Sequence, residues 1–212
     1  MYFAHKKGSK QESGLLSKAL LVAALFGLCG GIYLLILVMT PNVPFLYPLQ
    51  EIDAKNLPKP AENKVYIPKI GVSVTFESGG AEVLDDGVWH RFPERGDPVK
   101  GGNFILSAHR FEIGFTPAET RRKSPFYHVG KLEVGDQILV DFEGKRYGYE
   151  ITEKKKVQPN QVEIEAPTDE PRLTLYSCTL QGQADGRDVF FAKPLGEIFE
   201  GSVDLGTLND DN

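Results

Sequence analysis

The chain has 212 residues, 41% of them hydrophobic and 25% charged, which suits one packed domain with accessory segments and excludes wholesale disorder. A formal net charge of -5 and a pI near 5.5 argue against nucleic acid as a partner, because phosphate recognition needs a basic face. The two cysteines, Cys29 and Cys178, are too few for a disulfide framework or a cysteine-rich zinc site.

The first predicted element is a membrane span. Residues 19–39 carry no charge and no proline, and at helical rise they cover about 30 Å, the thickness of a bilayer core. The run is too long for a cleaved signal, and the Thr40-Pro41-Asn42-Val43-Pro44 that follows is a poor cleavage site. Residues 1–18 hold Lys6, Lys7, Lys10 and Lys18, and no further Lys or Arg follows until Lys55. The positive-inside rule therefore keeps 1–18 in the cytoplasm and exports the rest, as a single-pass protein of the cell membrane. Phe45 and Tyr47 fall where an outer aromatic belt would lie. Beyond residue 39 there are 20 basic and 28 acidic residues, so the exported part is acidic.

Residues 40–63 are proline-rich and aperiodic and read as a stalk, while 201–212 reads as a flexible acidic tail. Between them, residues 64–200 read as one domain of short strands. Extended runs are predicted at 64–68, 72–77, 103–109, 137–142, 145–153, 172–178 and 187–193. Glu143-Gly144 is a tight hairpin signal, and short helical pieces are predicted near 80–85 and 125–134. Many strands without a βαβ rhythm indicate an all-β fold, either a closed antiparallel barrel or a sandwich.

Chemistry concentrates on Cys178. It ends a strand, precedes a glycine-rich loop, and is the one thiol in the exported part, since Cys29 lies in the span. A nucleophilic thiol needs access, a base or cation nearby, and a rigid support, all of which a strand end supplies. Alternation puts Thr174, Tyr176 and Cys178 on one face of that strand and Leu173, Leu175 and Ser177 on the other. Three exported histidines compete as partner. His109 closes the apolar strand 103–109 and is preferred to His90 and His128. Arg187 opens the next strand, nine residues after the cysteine, where a guanidinium could hold carbonyl groups. The order His before Cys departs from papain-like peptidases, and no CxxC, HExxH, GxGxxG or P-loop is present.

These motifs together resemble the sortase family of membrane-anchored cysteine transpeptidases. Thr174-Leu175-Tyr176-Ser177-Cys178 is similar to the family's TLxTC signature, and Ser107-Ala108-His109-Arg110 resembles its strand-end histidine motif. Further similarity lies in Tyr66-Ile67-Pro68-Lys69-Ile70-Gly71, Gly101-Gly102-Asn103 and Leu132-Glu133-Val134-Gly135-Asp136. Two departures are Ser177 for threonine and Ala108 for glycine. No Asp-Pro-aromatic tripeptide occurs in 41–63, against the lid of many pilus-building relatives.

The resemblance implies an eight-stranded sortase-type closed barrel with short helices behind one transmembrane helix. It implies Cys178, His109 and Arg187 as catalytic residues, with Thr174, Tyr176 and Ser177 near the substrate. It implies cleavage of an LPxTG-like sorting signal in surface proteins or pilins, and transfer to an amine of the cell wall or of a pilin. The acidic loop with Glu163, Glu165, Asp169 and Glu170 corresponds to one that contacts substrate, and in some relatives calcium. Here it reads as a solvated loop, and neither metal nor cofactor is expected. The competing class is a surface-tethered barrel that binds pilin or wall components without catalysis.

Overall fold

The computed structural model describes residues 9–42, 52–54 and 56–198. Residues 1–8, most of the 40–55 stretch with Phe45 and Tyr47, and the 201–212 tail lie outside the described residues.

Helix α1 (Ser9–Met39) continues through a 3-10 turn, Thr40–Asn42. Its apolar section is long enough to cross a membrane and only 6% buried against the rest of the chain. Nine strands follow: β1 (Lys64–Ile67), β2 (Val72–Ser78), β3 (Val88–Arg91), β4 (Gly96–Asp97), β5 (Gly101–Ser107), β6 (Gln137–Phe142), β7 (Lys145–Val157), β8 (Arg172–Thr179) and β9 (Gly182–Glu197). One short α-helix, α2 (Pro117–Arg122), interrupts them.

The order β3-β2-β1-β6-β7-β9-β8-β5 closes on itself, because β3 also pairs with β5. The result is an eight-stranded barrel with the two-residue β4 attached to the outer end of β5. Closure removes the sheet edges that an open sandwich would expose. The Glu143-Gly144 turn has φ of 50° and 79°, both positive, as a two-residue hairpin between Phe142 and Lys145 demands.

The barrel interior is filled by alternate residues of every strand. Phe76, Phe104, Phe126 and Phe190 are fully buried there beside Leu106, Leu173 and Leu175. Each contributes about 1.5–3 kcal/mol by leaving water. Residues of opposite parity build a second cluster on the outer wall: Ile105, Val157, Ile164, Tyr176, Val189 and Phe191. The strands β5, β8 and β9 are thus apolar on both faces. Residues 158–171 cover the outer one, through a 3-10 turn at Val162–Glu165.

Several elements differ from the sequence expectation. Strands β3 and β4 and helix α2 are not anticipated, β5 stops at Ser107 and leaves His109 beyond its end, β7 runs on to Val157, and the expected open loop after Cys178 is instead the start of a long hairpin. Strand β9 begins at Gly182, and residues 183–186 form an irregularity before the register resumes at Arg187. Asp185 pins this bulge by accepting from Thr179 Oγ1 at 2.6 Å and pairing with Lys156 at 2.7 Å. Both interactions hold its carboxyl below the ordinary carboxylate value.

His90 belongs to the barrel wall. It is 3% exposed, packs edge-on to Phe104, and bonds Gly96 O at 3.1 Å and Ser78 Oγ at 3.3 Å. Burial holds its imidazole below the ordinary value of 6.5. The unfolded chain therefore binds the extra proton first, and stability falls as pH drops through that value. Between about pH 7.5 and about pH 5.5, the urea midpoint is expected to fall more steeply for the native chain than for His90→Asn. Equal slopes would contradict this.

Candidate active site

The sequence places the candidate residues on three different strands, and strand pairing brings two of them, Cys178 and Arg187, side by side. Cys178 on β8 lies directly opposite Arg187 on β9. On its other flank, β5 runs parallel to β8, with Ser107 opposite Tyr176 and Ala108 N donating to Tyr176 O at 3.4 Å. Strand β5 ends at Ser107, and His109 lies two residues past that last pair, on the segment that continues alongside the Cys178 end of β8. Cys178 and Arg187 share strand parity with Tyr176 and Val189, so both belong to the outer wall. Cys178 is half-buried, as are His109 and Arg187. Arg187 Nη1 donates to Gln183 O at 2.9 Å and Gly186 O at 3.0 Å, which orients the guanidinium on the bulge.

The other histidines are placed elsewhere. His90 is the core residue described above. His128 lies within the β5–β6 connection, edge-on to Tyr127, and burial together with nearby Lys131 holds it below the ordinary value.

Residues of the opposite parity close the barrel end beneath the three candidates. Arg110 follows His109, Asp188 follows Arg187, and Ser177 precedes Cys178. Arg110 Nη1 donates to Asp188 Oδ2 at 2.9 Å across β8, with Arg110 7% and Asp188 26% exposed at the side chain. Burial lowers the Arg110 pKa, partly countered by Asp188. A Cβ on Gly130 would come within 2.6 Å of Arg110 Nη2, so that glycine leaves room for the guanidinium. The sequence carries a signal for this pair: opposite charges sit one residue beyond both the candidate base and the candidate arginine.

Thr174, Tyr176 and Ser177, expected near substrate, are all buried and already bonded. Thr174 Oγ1 donates to Asn103 Oδ1 at 2.6 Å, and Ser177 Oγ to Cys178 O at 3.1 Å. The Tyr176 hydroxyl donates to Glu165 Oε1 at 2.5 Å and accepts from Arg91 Nη1 at 3.1 Å. Burial, then Glu165, pushes the Tyr176 hydroxyl up to about 12. Their hydroxyls are thus engaged within the protein.

They also fasten the 158–171 segment. Arg91 pairs with Glu165 at 3.1 Å, and Arg95 Nη1 donates to Glu165 O at 2.6 Å. Asn103, fully buried, donates to Ile164 O and Ala166 O and accepts from Thr174 and Arg172. All four of its hydrogen-bonding positions are filled. Glu165 is therefore no member of a solvated acidic loop. Among the described residues, no group of three or more His, Cys, Asp and Glu side chains forms a metal-sized cluster. The Gly101-Gly102-Asn103 motif gains its physical reason here. Gly102 has φ of 75°, a Cβ there would lie 2.4 Å from Arg95 O, and the asparagine next to it holds the loop.

Removing the Tyr176 hydroxyl leaves Glu165 with Arg91 alone. Tyr176→Phe is expected to cost about 1–2 kcal/mol in urea unfolding. It should also speed amide exchange over 158–171. An unchanged midpoint and unchanged exchange would show the network to be slack.

Comparison with known proteins bears on this arrangement. A family model described as Sortase domain matches residues 65–195. The sortase SrtE1 of Streptomyces coelicolor is 28% identical over 149 residues, a match spanning 63% of this chain and 40% of that protein. Among solved structures, a Clostridium perfringens sortase D5 transpeptidase superposes with a TM-score of 0.54 at 27% identity, covering 64% of this chain and 79% of that one. Sortase E1 from Streptomyces coelicolor, crystallised with a tripeptide in its active site, gives 0.52 at 25% identity, covering 66% and 93%.

Proposed function

Since the chain belongs to the sortase family, we propose that it is a membrane-anchored cysteine transpeptidase whose nucleophile is Cys178. The observation that supports this reading is the pairing of Cys178 with Arg187 on neighbouring strands, with His109 two residues past the end of β5, the strand on the other flank of β8. The tripeptide in the active site of the Streptomyces coelicolor enzyme supports a peptide as the ligand class.

In the proposed cycle, the Cys178 thiolate attacks the carbonyl carbon of the Thr-Gly bond in an LPxTG-like sorting signal of a surface protein or pilin. A thiolate is required because the thiol itself is a poor nucleophile. Arg187, held by its bulge carbonyls, directs its remaining N–H groups at the substrate and at the oxyanion of the tetrahedral intermediate. As the carbon–nitrogen bond breaks, protonated His109 gives its proton to the departing glycine amine. A Cys178 thioester remains. An amine from a cell-wall precursor or a pilin lysine then attacks it, His109 takes the amine's proton, and the carbon–sulfur bond breaks to restore the thiolate. With water in place of the amine, the same cycle is peptide hydrolysis and the enzyme acts as a thiol protease.

The helix α1 serves in this reading as the anchor, with the N-terminus cytoplasmic and the barrel outside the cell. Intact-mass analysis after incubation with a panel of sorting-signal peptides tests the scheme. The expected result is one acyl adduct, mapped to Cys178; an adduct elsewhere, or none with any peptide, would overturn it. We assign no metal and no cofactor, because Glu165 is committed to Tyr176 and Arg91. Transfer rates are accordingly expected to stay the same with excess chelator, and a loss restored by calcium would refute that assignment.

A further inference from the structure

The outer end of α1 does not stand apart from the barrel. Leu37, Thr40 and Pro41 are buried, and Asn42 Nδ2 donates to Tyr127 Oη at 2.7 Å. Further down the helix, the Tyr33 hydroxyl donates to the carbonyl of Phe115. Tyr33 precedes Met39 by six residues, about 9 Å along the helix axis, and so lies inside the apolar run. The loop that follows His109 and Arg110 therefore reaches down beside the span instead of lying above it.

That loop is apolar at its tip and fixed in shape. Phe115 is 86% exposed, more than any other large hydrophobic side chain in the described residues, and Ile113 is 44% exposed. Ser124 Oγ bonds the Glu112 backbone from both sides, Gly114 N donates to Thr120 Oγ1 at 3.0 Å, and Phe115 N donates to Glu119 Oε2 at 2.9 Å. At its base, Phe111 packs edge-on to Tyr127, the residue that receives Asn42. The nearby cations are already paired, Arg122 with Asp86 and Lys123 with Asp85 and Glu119. A rigid loop that leaves a phenylalanine bare in water, at the depth of a transmembrane tyrosine, has lipid as its natural cover.

We infer that residues 111–116 rest in the interfacial layer of the membrane that α1 crosses, with Phe115 and Ile113 as the buried contacts. This rests on α1 being the anchor. The surface it meets is the headgroup–acyl boundary of the leaflet on the barrel side, and the contact is apolar, so neutral phosphatidylcholine suffices. The loop begins two residues after His109, so its docking fixes the height and tilt of the proposed site above the bilayer.

The test uses the full chain in phosphatidylcholine nanodiscs, with Trp89, the one native tryptophan, replaced by phenylalanine. In that background, Phe115→Trp fluorescence is expected to be quenched about twofold or more by lipids brominated close to the headgroup, and less by lipids brominated near the chain ends. A Leu28→Trp chain reports insertion of α1 by the opposite preference. A quenched helix probe with an unquenched loop probe overturns the docking and leaves the anchor standing. If neither probe is quenched, the anchor reading fails and the docking with it.

Discussion

Cys178→Ala is expected to lower sorting-signal cleavage and transfer by on the order of 10⁴-fold or more, the scale on which removing a covalent nucleophile acts. Without sulfur at position 178 no thioester can form, and the proposed cycle loses its covalent intermediate. The fold should hardly register the change. Cys178 is half-buried on the outer wall, outside both hydrophobic clusters, so its truncation is expected to shift urea unfolding by less than about 1 kcal/mol. The two readouts separate the meanings of a negative result. Lost transfer with an unchanged midpoint marks the thiol as chemical, whereas transfer that survives in the alanine variant would end the proposal.

The second large effect concerns the pair beneath the site. Asp188→Asn removes the one carboxylate that answers Arg110, whose guanidinium is 7% exposed. Breaking a buried ion pair from one side costs about 3–5 kcal/mol, and the quarter exposure of Asp188 argues for the lower end. We expect a loss of about 2–3 kcal/mol in urea unfolding. Removing both charges, as Arg110→Met with Asp188→Leu, should recover most of it, because no uncompensated charge remains. The activity readout decides whether the pair also positions the site. His109 and Arg187 are the immediate neighbours of Arg110 and Asp188, so kcat of the double variant should fall while the midpoint recovers. Full recovery of both would reduce the pair to a structural one.

Much of this was visible in the chain before any coordinates. The sequence singles out Cys178, His109 and Arg187 by apparent strand ends, but the structure ends β5 at Ser107, carries β8 on to Thr179 and places Arg187 inside β9. The 137–142 strand, the Glu143-Gly144 turn and the start of β7 follow from local chemistry, and there the structure agrees to the residue. What escaped was held by long-range pairing. Strand β3 is four residues long, contains an inward-facing histidine and ends just before Phe92-Pro93, so nothing local announces it; it exists because β2 and β5 flank it. Helix α2 did carry a signal in Thr116-Pro117-Ala118-Glu119. Thr116 caps the helix by accepting from Glu119 N at 3.1 Å. Glu165 misled because its neighbours Glu163, Asp169 and Glu170 are acidic too, and only Arg91 and Tyr176, far away in sequence, distinguish it.

The parallel pairing of β5 with β8 has a consequence in time as well as in space. His109 and Cys178 are separated by 69 residues, and no local turn can join them. Residues 110–171, which hold the β6–β7 hairpin and the covering segment, form the loop that must close for the two parallel strands to meet. Such non-local contacts are bought with loop-closure entropy and come late in folding. A refolding chain should thus regain its hairpins, and their circular dichroism, well before its thiol acquires a histidine neighbour. On the proposed reading, Cys178 would become a reagent only when the barrel shuts.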